Sequence, residues 1–127
     1  MKTILFVDDN PIVVQAYRMA LERAGYKVET AADGLAAMKV VVSLKPDAVL
    51  LDLMMPIVDG KYVLKYIRSE PELKSTRVII LSDATIADRG LEVMDLNPDR
   101  LLLKSECTPK LLNETLTELL GESGQPQ

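Results

Sequence analysis

Four short runs of consecutive apolar residues constrain this chain more than any other feature: Ile4-Leu5-Phe6-Val7, Ala48-Val49-Leu50-Leu51, Val78-Ile79-Ile80-Leu81 and Leu101-Leu102-Leu103. None alternates with polar residues, as a strand with one wet face would, so all four read as strands buried on both faces. Such strands belong to parallel sheets covered by helices above and below. A fifth, weaker strand is predicted through Val28-Glu29-Thr30-Ala31.

Helical periodicity fills the intervals. Val13, Tyr17, Ala20, Leu21 and Ala24 form one apolar stripe, Leu35, Met38 and Val42 a second, and Leu112, Leu116 and Leu119 a third. Asn10-Pro11 suits a helix start, Gly25 its end, and Thr108-Pro109 the start of the last helix. A fourth helix is expected between Thr85 and Leu96, interrupted by Gly90. Strand and helix therefore alternate, which implies right-handed crossovers and a doubly wound sheet with helices on both faces. With 127 residues, 48% of them hydrophobic, the chain is long enough for one domain with a real core. Residues 1–121 are expected to form that domain, and the polar residues 122–127 a tail or the start of a linker.

Composition narrows the chemistry. The formal charge is −4 and the Lys and Arg residues are dispersed, which argues against a nucleic-acid surface. No apolar run approaches membrane-spanning length and the start Met1-Lys2-Thr3 leads straight into a strand rather than a signal peptide, so a cytoplasmic location is expected. There is no histidine, which removes His-based acid–base catalysis, His metal ligands and any phosphohistidine donor role. The single Cys107 excludes an internal disulfide and reads as a small semi-buried residue. Tyr17, Tyr26, Tyr62 and Tyr66 read as core or boundary packing.

The residues just after each apolar run are informative: Asp8 and Asp9 after the first, Asp52 after the second, Ser82 after the third and Lys104 after the fourth. The carboxyl edge of an open parallel sheet is where ligands bind, so these residues converge on one pocket. Taken singly, each has an ordinary structural use. Asp caps helices (Asp9 stands just before Asn10-Pro11), Ser ends strands, and Lys is a solvated charge. Together they are hard to reduce to packing, because like charges about 4 Å apart repel by roughly 4 kcal/mol at an effective dielectric of 20. A cation relieves that cost, and an all-oxygen donor set with room for water and phosphate suits Mg²⁺. Asp8 and Asp9 would hold the metal with the backbone carbonyl of Met54, while Asp52 touches it and attacks phosphorus. Lys104 would supply a second positive charge, and Ser82 a hydrogen bond to a phosphoryl oxygen.

In order and spacing, Phe6-Val7-Asp8-Asp9-Asn10, Leu51-Asp52-Leu53-Met54-Met55-Pro56 with Asp59-Gly60, Ser82 and Lys104 resemble the receiver domain of two-component response regulators across nearly the whole chain. The resemblance implies a flavodoxin-like α/β fold, a doubly wound five-stranded parallel sheet with helices on both faces. It implies a histidine kinase or histidine phosphotransfer protein as phosphoryl donor. Output would pass through the fourth helix, fifth strand and fifth helix to a fused domain or downstream protein. Such a domain is not an enzyme acting on others: it takes up its own phosphoryl group and loses it by autodephosphorylation. Apolar surface near the last helix would allow a homodimer linked to phosphorylation.

The sequence departs from the family pattern at three places. The family's aromatic in the last strand has no counterpart, since Leu102, two residues before Lys104, is aliphatic. Asp83 follows Ser82 where a small residue is common, adding a carboxylate that would repel phosphate. Ser105 follows Lys104 in place of a proline with a cis bond, so either the bond is trans and the lysine displaced, or it is cis at a cost of about 3–4 kcal/mol. These departures motivate a second reading, a degenerate receiver acting by protein contact alone. A third, a Mg²⁺-dependent phosphohydrolase of the haloacid-dehalogenase type, lacks its Asp-x-Asp, because Leu53 and Met54 follow Asp52.

Overall fold

The computed structural model describes residues 1–53, 60–82 and 97–121. Its elements run β1 (Thr3–Val7), α1 (Pro11–Arg23), β2 (Lys27–Ala31), α2 (Gly34–Leu44), β3 (Ala48–Asp52), α3 (Gly60–Ser69), a 3₁₀ turn at Pro71–Leu73, β4 (Arg77–Ser82), β5 (Arg100–Leu103) and α4 (Pro109–Leu120). The helix expected between Thr85 and Leu96 lies outside the described residues, as do Met54, Asp83 and residues 122–127; α4 is therefore the C-terminal helix.

All five strands are parallel, in the order β2-β1-β3-β4-β5. Each strand sends alternate side chains to opposite faces, and both faces are apolar because both are covered. Leu5, Val7, Val49, Leu51, Val78 and Ile80 pack with Val41 of α2 and with Val63, Leu64 and Ile67 of α3. Ile4, Phe6, Leu50, Ile79 and Leu81 pack with Leu21 of α1 and with Leu112 and Leu116 of α4 on the other side. The sheet is thus the doubly wound, flavodoxin-like arrangement, and its winding reverses between β1 and β3.

The helix boundaries follow local chemistry. Asn10 caps α1, its side-chain oxygen accepting from the Ile12 and Val13 N–H groups at 3.0 and 3.4 Å. The helix ends where Gly25 takes φ 99°, a conformation open to glycine and costly to other residues. Thr108 caps α4 through a 3.1 Å bond from the Leu111 N–H.

The stripe expected to face inward on α2 is corrected. Gly34, Ala37 and Val41 are the buried positions, whereas Leu35 and Val42 are 46% and 38% exposed and Met38 is half-buried. The segment Gly-Leu-Ala-Ala-Met-Lys-Val-Val-Val-Ser-Leu is apolar nearly all round, so periodicity does not choose a face, and the small side chains let the helix approach the sheet more closely. The last strand also differs from expectation: β5 stands at the sheet's edge and its residues are half-buried. Tyr26 is buried and Tyr17 packs on Phe6, as expected, but Tyr62 is 65% exposed.

Candidate functional site

Strand register carries the candidate residues to one end of the sheet. Val7 pairs with Leu51, Asp52 with Leu81 and Ser82 with Leu103, so Asp8, Asp52, Ser82 and Lys104 lie at neighbouring carboxyl ends. The backbone locks these ends together. Asp8 N–H donates to Ala31 C=O at 3.2 Å, Leu53 N–H to Leu81 C=O at 3.0 Å, and Lys104 N–H to Ser82 C=O at 2.6 Å.

Asp8, Asp9 and Asp52 each bring a carboxylate oxygen within 4.8 Å of the others. Asp8 and Asp52 are buried, and Asp9 is exposed at the rim. Capping does not occupy Asp9, because Asn10 serves that role. One Asp8 oxygen, Oδ1, accepts the Asn10 N–H at 2.9 Å and shapes the turn into α1. The other, Oδ2, has no hydrogen-bond partner among the described residues, and neither has the buried Ser82 hydroxyl. Lys104 Nζ lies 3.1 Å from Asp52 Oδ1 and 3.5 Å from Asp8 Oδ2. Burial pushes the Lys104 ammonium's pKa down, but Asp52 and then Asp8 outweigh it and hold the pKa above the usual lysine range.

The two buried carboxylates share this ammonium, and the third stands beside them at the rim. Anionic oxygen donors, one of them buried without a hydrogen bond, fit a hard divalent cation. No peptide bond among the described residues is cis. The Lys104–Ser105 bond is therefore trans, and the lysine still reaches both carboxylates, contrary to the displacement expected with a trans bond.

Gly60 is a site residue whose role was not read from the sequence. Its N–H donates to Leu53 C=O at 3.0 Å, and a Cβ there would collide with the Asp52 carbonyl oxygen and lie 2.9 Å from the Leu53 Cα. Only glycine lets α3 begin directly against the backbone that presents Asp52. The Asp59-Gly60 pair was the available signal.

Fold and edge chemistry together define a doubly wound α/β domain with an acidic pocket at its topological switch point. The response regulator receiver domain family model matches residues 4–116, and the chain belongs to that family. It is 34% identical over 104 residues to the DNA-binding dual master transcriptional regulator RpaA of Synechocystis sp., a match covering 82% of this chain and 43% of that protein. It is likewise 34% identical to the response regulator MprA of Mycobacterium sp., over 86% of this chain and 46% of MprA. The chain thus spans less than half the length of these curated relatives. The chemotaxis response regulator CheY4 of Vibrio cholerae superposes with a TM-score of 0.86 at 30% identity, over 94% of this chain and 98% of CheY4. Among the described residues no helix is long and apolar enough to cross a membrane.

Proposed function

We propose that this receiver domain is a phosphorylation switch in which Asp52 accepts a phosphoryl group from a histidine kinase or histidine phosphotransfer protein. The observation that carries the reading is Lys104 Nζ at 3.1 Å from a buried Asp52, beside Asp8 Oδ2 and Ser82 Oγ, which lack hydrogen-bond partners among the described residues. In the transfer, an Asp52 carboxylate oxygen attacks phosphorus, an oxygen–phosphorus bond forms, and the phosphorus–nitrogen bond to the donor imidazole breaks, its electron pair staying on nitrogen. Lys104 neutralises charge on the acceptor carboxylate and remains as the fixed cation beside the acyl phosphate. The Ser82 hydroxyl, buried and without a partner among the described residues, donates to a phosphoryl oxygen. Asp8, Asp9, Asp52 and the backbone carbonyl of Met54 are the residues that would hold Mg²⁺, of which Met54 lies outside the described residues. Bound there, the ion would screen the carboxylates from one another and from phosphate oxygens.

Leu53 is buried and no carboxylate stands two residues after Asp52, so the chain has no general acid–base at the position where a phosphohydrolase would carry one. The acyl phosphate then decays by slow autodephosphorylation, and the domain acts as a cytoplasmic switch rather than an enzyme. Its output is a fused domain or a separate partner, the family's arrangement of receiver and effector being consistent with relatives of twice this length. The trans Lys104–Ser105 bond does not favour the contact-only reading, because the lysine keeps its place.

Intact mass after incubation with a small phosphodonor and Mg²⁺ tests the proposal. One added phosphoryl group is expected, absent from Asp52→Ala and from a sample with the metal chelated. A folded wild-type chain that gains no mass would overturn it.

A further inference from the structure

Lys104 is carried by an exposed turn between β5 and α4, Lys104-Ser105-Glu106, which contains no proline. The turn is closed by Glu106 N–H to Leu103 C=O at 3.0 Å and Cys107 N–H to Lys104 C=O at 3.3 Å. Besides the Lys104 N–H bond to Ser82 C=O, a side chain of α1 reaches it: the Tyr17 hydroxyl donates a hydrogen bond to the carbonyl oxygen of Cys107, across 90 residues of sequence. Tyr17 is itself held in place, its ring centroid 5.5 Å from that of Phe6 on β1. Tyr17, Cys107 and Lys104 line one cavity of about 100 Å³ with Asp8, Val13 and Leu81, so the brace and the charged site share a wall. Burial, with Cys107 beside it, pushes the Tyr17 phenol up to about 12, so it stays a neutral donor throughout the physiological range.

A long lysine side chain on an exposed turn gains or loses its aim with the turn, and a displacement of about 1 Å is enough to cost a catalytic group much of its effect. We propose that Tyr17 is a positioning residue: through the Cys107 carbonyl it holds the β5–α4 turn against α1 and so sets Lys104 Nζ over Asp52. This rests on the reading of Asp52 as phosphoacceptor. The same helix that opens after the acidic pair thereby also sets the cation facing it, which couples the two charged halves of the pocket through α1.

The experiment is a double-mutant cycle on the full chain with acetyl phosphate and Mg²⁺, combined with labelling of the only cysteine, Cys107, by a water-soluble disulfide reagent. Tyr17→Phe, which keeps the ring and removes the hydroxyl, should lower the limiting phosphorylation rate about tenfold and leave the half-saturating donor concentration within about twofold. It should label Cys107 about tenfold faster than wild type, because the turn opens more often. In a Lys104→Ala background the same change should alter the rate by less than about twofold, since the residue through which it acts is gone. Equal losses in both backgrounds, or unchanged labelling, would overturn the proposal. Labelling needs no phosphoryl chemistry: a wild type that is never phosphorylated counts against the switch, whereas faster labelling of Tyr17→Phe still supports the brace. If Tyr17→Phe does not fold, amide exchange in the wild-type chain decides. Protected Glu106 and Cys107 amides support the brace, and exchange at open-loop rates overturns it.

Discussion

The two ends of the sheet treat charge in opposite ways. At the amino end Asp99 is fully engaged: Oδ2 accepts from Arg68 and from the Val78 N–H, both at 2.8 Å, and Oδ1 accepts from Arg77 at 3.1 Å. Arg68 also donates to the carbonyls of Asn97 and Thr76, at 2.9 and 2.8 Å, which ties α3 to the starts of β4 and β5. Asp47 similarly receives the Thr3 N–H at 2.8 Å. At the carboxyl end three carboxylates cluster, two of them paired with Lys104, and Asp8 Oδ2 and Ser82 Oγ lack hydrogen-bond partners among the described residues. One end of the same scaffold therefore uses charge to hold elements together, while the other keeps unsatisfied groups ready for a ligand, at some expense in stability.

Substitutions that treat the two ends alike should have opposite effects. Asp99→Ala should destabilise by about 2–3 kcal/mol, because it takes the carboxylate from a mostly buried Arg68, which keeps only carbonyl acceptors, and the acceptor from the Val78 N–H. Urea unfolding measures this, and a loss no larger than for a surface residue would erase the contrast. Asp8→Asn, measured by thermal unfolding in chelator, should instead stabilise the chain by about 1 kcal/mol, since repulsion from Asp52 and Asp9 disappears while the lost Lys104 pair offsets part of the gain. Added Mg²⁺ should raise the unfolding midpoint of wild type but hardly that of Asp8→Asn.

The pH dependence follows Asp99. Burial pushes its carboxyl up, but the Val78 N–H, Arg77 and Arg68 outweigh this and hold it below the ordinary carboxylate range. A carboxylate with a lowered pKa adds stability above its unfolded value, near 3.9, and loses it as pH falls through the folded one. The stability difference between wild type and Asp99→Ala should accordingly persist at neutral pH and close only in acid, below about pH 4, in unfolding curves taken across pH. Smallest of all, Glu118→Ala should change stability by less than about 0.5 kcal/mol, because the Arg100–Glu118 pair is exposed on both sides.

Much of the site was legible because it depends on local pattern. Doubly apolar strands name themselves, and in a parallel sheet the residues after each strand must share one edge, so Asp8, Asp9, Asp52, Ser82 and Lys104 could be grouped before any coordinates. Asn10, Gly25 and Thr108 likewise act within a few residues of themselves. The face of α2 was not legible, because a helix apolar nearly all round gives periodicity no contrast and the sheet selects its smallest side chains. The clamp of Arg68 on Asp99 and the bond from Tyr17 to Cys107 were equally out of reach. Each joins residues whose separation closes only when helices dock on the sheet, and no spacing along the chain encodes that distance. The residue types and their order were enough to say which groups the pocket would contain. That Asp8 Oδ2 accepts no hydrogen bond among the described residues, and that Lys104 Nζ lies within 3.5 Å of both buried carboxylates, only the tertiary structure decided, because those distances depend on how strands and turns pack.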